Sequence, residues 1–311
     1  MTARPILVGT DGSDTARRAV AWAAREAATH GKPLLIVAAL APPPRLSSPW
    51  SAAAIQEAAQ RRAEQALAAA AGQARDVAPA VRMAAEMLAG EPAQVLTARA
   101  AEASMLVVGS RGTGGLAPMA LGSVSRYTAT HATCPVVVVR ADRMAPHLAP
   151  QLAAHREVVV GVRDPDLPGS SAALGFAFEE AALRAARLLA VHAWYWPAPA
   201  GHLDQPGAPR HAAHRMADAL CMYQEKYPDV AVVTDVARAH PGRVLAGASA
   251  RADLVVVGRH DAPVASARSI GARSIGARSI GARDIGARDI GSVTDALLRH
   301  GHGPVAIVAN P

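Results

Sequence analysis

The chain has 311 residues, 51% of them hydrophobic, and a formal net charge of +7. This length corresponds to about two domains, and the apolar content suffices to bury a core in each. No run approaches the roughly 20 apolar residues that cross a bilayer, and the start lacks the pattern of a secretion signal, so we expect a cytoplasmic protein. The charge does not indicate a nucleic-acid binder, because the basic residues are scattered and only 3% of residues are aromatic.

Ten short apolar runs predict β-strands, and Ala-rich segments with helical spacing, such as 14–30 and 52–74, lie between most of them. Continuous apolar runs that alternate with helices are typical of parallel sheets covered on both faces. Because the pattern occurs twice, we predict an α/β chain of two tandem doubly wound, Rossmann-like domains. Each would hold a five-stranded parallel sheet flanked by helices. In chain order the runs are PILVGT, PLLIVAAL, AVRMAAEM, SMLVVGS, PVVVVR, REVVVGV, RLLAVHAW, VAVVTDV, ADLVVVG and PVAIVA.

The two halves of the sequence align with each other. We predict a first domain at 1–142, a Pro-containing linker at 143–155 and a second domain at 156–311. The two cysteines, Cys134 and Cys221, have no disulfide or zinc-site spacing, so we expect two reduced, buried thiols.

A five-residue word, ARSIG or ARDIG, is written five times over 267–291. Gly109 aligns with Gly258 at an offset of 149, whereas Gly122 aligns with Gly291 at an offset of 169, so four copies are additional. A five-residue period forms a continuous apolar face neither in a helix nor in a strand. We predict a mostly irregular loop in which isoleucines make local contacts.

The segment 106–126, LVVGSRGTGGLAPMALGSVSR, has the composition of a phosphate-binding loop. Gly109 and Gly112 follow a predicted strand, and Gly122 and Ser123 open a predicted helix. Glycines let the backbone approach an anion, and a helix start offers unpaired N–H groups. The segment is neither a Walker A motif nor a GxGxxG fingerprint.

This G-x2-G-x9-G-S spacing, after a first strand ending in VGTDGS, resembles the ATP-binding motif of the universal stress protein family. The resemblance covers nearly all of both halves and implies that ATP, with or without Mg2+, is bound by the first domain. It further implies that the last strands, 136–139 and 305–308, pair as an internal pseudo-dimer, and it leaves a further homodimer open. The implied site residues are Asp11 at the adenosine, Ala39 at the adenine, and Gly109, Gly112, Gly122, Ser123 and Val124 at the ribose and phosphates, with Arg111 as the nearest cation.

The position of Asp11 supports this site independently, since doubly wound folds bind ligands at the carboxyl ends of their strands. The alternative is that Asp11 caps a turn together with Ser13 and that the glycines only punctuate loops.

The second domain departs from the motif at three places. Arg163 stands in the position of Asp11, Asp261 replaces the second glycine, and the repeat separates Gly258 from Gly291. A carboxylate about 4 Å from a phosphate costs roughly 4 kcal/mol at an effective dielectric of 20. We therefore predict that the second site is degenerate and silent.

Several histidines and a Trp-Tyr-Trp run allow both a functional and a structural interpretation. His211 and His214, with His202 nearby, could bind a metal. No acidic or cysteine partner lies at a ligand spacing, so the interpretation as exposed polar residues of a helix is favoured. His131 could approach a phosphate or lie on a helix surface, and Trp194–Trp196 fits core packing better than a binding platform.

The leading hypothesis is therefore a stress sensor or regulator that acts through ATP bound in the first domain, without dedicated catalysis. The alternatives are a slow ATP hydrolase, which would need a base that 106–126 does not offer, and an interaction scaffold that binds no nucleotide.

Overall fold

The computed structural model describes residues 3–43, 49–112, 121–140, 156–164, 168–193, 208–259 and 290–309. The strands are β1 (Ile6–Gly9), β2 (Leu34–Leu40), β3 (Met83–Ala89), β4 (Met105–Gly109), β5 (Val136–Val139), β6 (Glu157–Gly161), β7 (Arg187–Ala193), β8 (Val232–Ala237), β9 (Leu254–Gly258) and β10 (Val305–Val308). The helices are α1 (Asp14–His30), α2 (Pro49–Val77), α3 (Pro92–Ala100), α4 (Ser123–His131), α5 (Pro168–Leu183), α6 (Ala208–Lys226), α7 (Pro241–Ala248) and α8 (Ser292–His300). None of the described helices is both long and apolar enough to cross a bilayer.

The described strands form one sheet in the order β3-β2-β1-β4-β5-β10-β9-β6-β7-β8. Each half contributes five strands whose neighbours are parallel, which confirms the predicted α/β class. The halves join where β5 and β10 pair antiparallel, with Val137 opposite Ala306. The last strands of the two halves are therefore paired, as the resemblance implied.

Helices cover both faces of the sheet, and strand residues alternate between two cores. Ile6 and Val8 of β1 lie in a core with residues of α1, α2, α5 and α6, whereas Leu7 lies in a core with residues of α3, α4, α7 and α8. Both cores contain residues of both halves. This two-sided burial explains why the inner strands are continuous apolar runs, whereas the edge strands β3 and β8 are partly exposed.

The extra residues of the second half lie between β9 and α8. β4 and β9 are 149 residues apart, whereas α4 and α8 are 169 apart. Ile290, the last isoleucine of the repeat, is only 7% exposed and packs into a core. Residues 267–289 of the repeat and the predicted linker at 143–155 lie outside the described residues.

The expectation of two buried thiols is wrong for one of them. Cys134 is buried, and burial raises the pKa of its thiol to about 11. Cys221 is exposed, because α6 buries Met216 and Leu220, one turn apart, and Cys221 lies next to that inner face.

Candidate functional site

The predicted site residues of the first half lie at the carboxyl ends of neighbouring parallel strands. β1 pairs with β2 on one side and with β4 on the other. Asp11 follows β1, Gly109 ends β4, and Ala39 is the second-last residue of β2. The strands that follow β1 lie on both sides of it, since β2 and β3 continue the sheet in one direction and β4 and β5 in the other. Such a reversal opens a crevice at the carboxyl ends of the strands.

Asp11 is exposed and organises the turn into α1. Its Oδ1 accepts a hydrogen bond from the Ser13 amide at 3.0 Å, and the Ser13 hydroxyl accepts one from the Ala16 amide at 3.2 Å. The intervening Gly12 has a φ of +79°, a conformation that glycine adopts without strain. Asp11 therefore holds a turn, as the alternative interpretation of this residue predicted, and Ser13 is the N-cap of α1.

Gly112 lies directly beside the carboxylate of Asp11. A Cβ at this position would come within 2.5 Å of Asp11 Oδ2, so a side chain would displace that carboxylate. Gly109 is also tightly enclosed, since its Cβ would lie 2.8 Å from the Thr15 carbonyl carbon. The Thr15 hydroxyl donates to the Arg111 carbonyl, so the loop after β4 packs on the start of α1.

Backbone contacts close the base of the glycine loop. The Gly122 amide donates to the Ser110 carbonyl at 2.9 Å, and the Ser125 hydroxyl donates to the Gly109 carbonyl at 2.6 Å. α4 therefore begins next to the end of β4. Residues 113–120, the middle of the loop, lie outside the described residues.

The start of α4 presents backbone amides. Gly122 is the N-cap and has no side chain to bond them, and Ser123 is exposed. Val124 packs its side chain partly against a core, so its contribution to a ligand would be its amide. Uncapped first-turn amides and the helix dipole favour an anion.

The equivalent region of the second half has different charges. Arg163 is exposed, and its neighbour Asp164 is ion-paired with Arg215. Asp295 lies in the first turn of α8, whereas its counterpart in α4 is Arg126. Asp295 and Arg126 pair with each other across the two halves at 3.4 Å, so their charges offset one another. Asp261 lies outside the described residues.

The remaining histidine candidates do not join the site. His131 lies in the last turn of α4, at the end opposite Gly122, where it stacks on Tyr127 with ring centroids 4.0 Å apart. His211 and His214 are exposed on α6. His202 and Trp194–Trp196 lie outside the described residues.

A buried cluster of charged side chains lies between the halves, and it was not predicted from the sequence. Glu26 and His30 of α1 meet Glu180 of α5 and Arg184 just after it, with side chains between 0% and 14% exposed. Arg184 donates to both oxygens of Glu26 at 2.7 Å and also to Glu180 Oε2. The available signal was a glutamate followed four residues later by a cation in both halves, as EAATH and EAALR.

The pKa values in this cluster follow from burial and mutual charge. Burial alone would lower the pKa of His30, but the carboxylates of Glu180 and Glu26 outweigh it and raise the pKa to about 9. Burial raises the pKa of Glu180, which is fully enclosed. For Glu26, the His30 hydrogen bond and the Arg184 charge outweigh burial and lower the pKa. The cluster is thus an internal ion-pair network, and a proton on His30 brings its net charge to zero.

Comparisons with known proteins agree with the duplicated architecture. The sequence model of the Universal stress protein family matches residues 2–140 and again 155–309. A universal stress protein of Mycobacterium tuberculosis is 36% identical over 265 residues, which cover 82% of this chain and 86% of that protein. One of Mycolicibacterium smegmatis is 33% identical over 264 residues, with coverages of 82% and 86%. The crystal structure of a universal stress protein from Archaeoglobus fulgidus shares the fold over 100% of both chains, with a TM-score of 0.69 and 15% identity.

Proposed function

Because the chain belongs to the universal stress protein family, in the form of two tandem domains, we propose that it is a stress-response regulator that binds one ATP in its first half. The observation that carries this proposal is the convergence of Asp11, Gly109, Gly112 and Gly122 at the carboxyl ends of β1 and β4. These residues are far apart in sequence, and their proximity is what a nucleotide site in this fold requires.

Each group has a role that its chemistry suits. The amides of Ser123 and Val124, at the start of α4, would bind phosphate oxygens. The exposed carboxylate of Asp11 would accept hydrogen bonds from the adenosine part. Ala39 is half-buried at the end of β2 and would offer the adenine a small apolar contact. The resemblance of the glycine spacing to the family's ATP motif supports this assignment.

The second half is proposed to bind no nucleotide. Arg163 replaces Asp11 there and removes the acceptor for the adenosine hydroxyls. Asp261 also replaces the glycine that corresponds to Gly112. These two replacements support binding in the first half.

We further propose that the bound nucleotide acts as a signal and is turned over slowly at most. Phosphoryl transfer needs a positioned nucleophile and charge clamps beyond a binding loop. Among the described residues at this site, the Asp11 carboxylate accepts a hydrogen bond from the Ser13 amide. Arg111 is the cation in the described part of the loop. His131 is at the far end of α4.

Two matched glycine variants of the full chain test the proposal. Gly122 and Gly291 are equivalent N-caps with negative φ values, −64° and −52°, so the backbone conformation does not require glycine at either position. We expect Gly122→Val to weaken ATP binding at least tenfold in titration calorimetry, because the side chain would obstruct the phosphates. Gly291→Val should leave the affinity and the stoichiometry of one unchanged. Loss of binding in Gly291→Val alone would refute the assignment to the first half.

A further inference from the structure

We propose that Glu26, His30 and Glu180 form a binding site for a divalent transition-metal ion, of which Zn2+ is the best match, and that the ion ties the two halves together. The three side chains each offer one ligand atom, and these atoms all lie within 4.8 Å of one another. Two ligands come from α1 and the third from α5, so an ion here would be held by both halves. The site is separate from the proposed nucleotide site and does not depend on it.

The distances already approach those of a metal centre. Zinc bonds of about 2.0–2.2 Å in a tetrahedral arrangement place neighbouring ligand atoms about 3.3–3.6 Å apart. His30 Nε2 lies 2.9 Å from Glu26 Oε1 and 3.2 Å from Glu180 Oε1. Small side-chain movements would therefore open the cluster enough for an ion.

An unsatisfied oxygen points to the ligand. Glu180 Oε1 is fully buried and receives no hydrogen bond, although it lies next to His30 Nε2. A single N–H on that nitrogen cannot serve both Glu26 and Glu180, and a buried unpaired acceptor is unfavourable. A cation in the place of the proton would contact His30 Nε2 and both Oε1 atoms at once.

Arg184 acts as a support and not as a ligand. It donates to Glu26 and to Glu180 Oε2, and so holds both carboxylates with their Oε1 atoms near His30. Hydrogen bonds of this kind orient the ligands of metal sites. When His30 is neutral, the two carboxylates and the Arg184 guanidinium together carry one net negative charge, so we expect moderate affinity for the ion.

The donor set selects the kind of ion. One imidazole with two carboxylates suits zinc and its neighbours, whereas Mg2+ prefers oxygen ligands and several waters. Binding must displace the proton that His30 otherwise shares with the carboxylates, since only the neutral imidazole binds a metal.

The test is calorimetric titration of Zn2+, and of Mg2+ for comparison, into the metal-free full chain at pH 7.5. We expect one Zn2+ per chain with a Kd below about 100 µM and no Mg2+ binding at this site. His30→Arg keeps a cation opposite both glutamates, as Arg184 does, and removes the ligand. It should lower the zinc affinity at least tenfold, and Glu180→Gln should do so as well.

The matched control is a His211→Gln/His214→Gln double variant, which removes two exposed histidines of α6. It should bind Zn2+ as the unmodified chain does. The proposal is overturned if this control loses the zinc while His30→Arg retains it, because the ion then sits on α6. It is also overturned if the unmodified chain shows no zinc binding below 100 µM, in which case the cluster holds only a proton. Co2+ absorption of the unmodified chain, typical of tetrahedral coordination, would support the site without any variant.

Discussion

Raising the pH above 6.5 should weaken the metal-free protein through the buried imidazole of His30. Its side chain is only 5% exposed and lies beside the carboxylates of Glu26 and Glu180, with the Arg184 guanidinium bonded to both of those glutamates. The pKa of His30 is raised to about 9 in the folded chain, from an ordinary value of 6.5. Each tenfold gain in proton affinity corresponds to about 1.4 kcal/mol, so the folded state gains about 3 kcal/mol from this proton.

The direction of the effect follows from the raised pKa. Below pH 6.5 both the folded and the unfolded chain carry the proton, and the stabilisation is fully present. Above pH 6.5 the unfolded chain releases it first, and the stabilisation declines until it is lost above about pH 9. The lowered pKa of Glu26 contributes nothing to this window, because that carboxyl is ionised in both states throughout it.

The assay is urea unfolding at intervals between pH 6 and pH 10 with a chelator present. The free energy of unfolding should fall by about 3 kcal/mol more in the unmodified chain than in His30→Gln. His300→Gln, which changes an exposed histidine of α8, should follow the unmodified chain. Parallel pH profiles for the unmodified chain and His30→Gln would show that the buried imidazole does not hold the proton and would refute the reasoning.

Three further outcomes are expected. Gly112→Ala should weaken ATP binding at least tenfold in titration calorimetry, because its Cβ would lie 2.5 Å from Asp11 Oδ2, and unchanged affinity would remove Asp11 from the site. Deleting 271–290 should leave ATP affinity unchanged and raise the free energy of unfolding by about 0.9 kcal/mol, because closing a shorter loop costs less conformational entropy. That deletion puts Ile270 in the place of the buried Ile290, and an unfolded product by circular dichroism would show that the repeat is structural. Turnover of ATP should stay below about 1 per second in a coupled phosphate-release assay, and a faster rate would favour the hydrolase alternative.

The sequence was sufficient to predict the secondary-structure elements, because their signals are local. Apolar runs and Ala-rich spacing predicted the strands and helices, and glycine spacing predicted that a strand ends near Gly109 and that a helix begins after Gly122. These patterns record conformational preferences of neighbouring residues, and those preferences survive folding. The position of Asp11 at the carboxyl end of the first strand also followed from the sequence, and the parallel pairing of β1 with β4 places it beside Gly112.

What the tertiary structure decided is which surfaces meet. Glu26 and Glu180 are 154 positions apart, and no local pattern states that α1 and α5 come together over a buried charge network. That contact exists because β5 and β10 pair antiparallel and bring the two halves into one sheet. The exposure of Cys221 was decided in the same way, by the face of α6 that packs against the core. Burial and ion pairing depend on the partner that folding supplies, and the residues themselves do not encode that partner within a short stretch of chain.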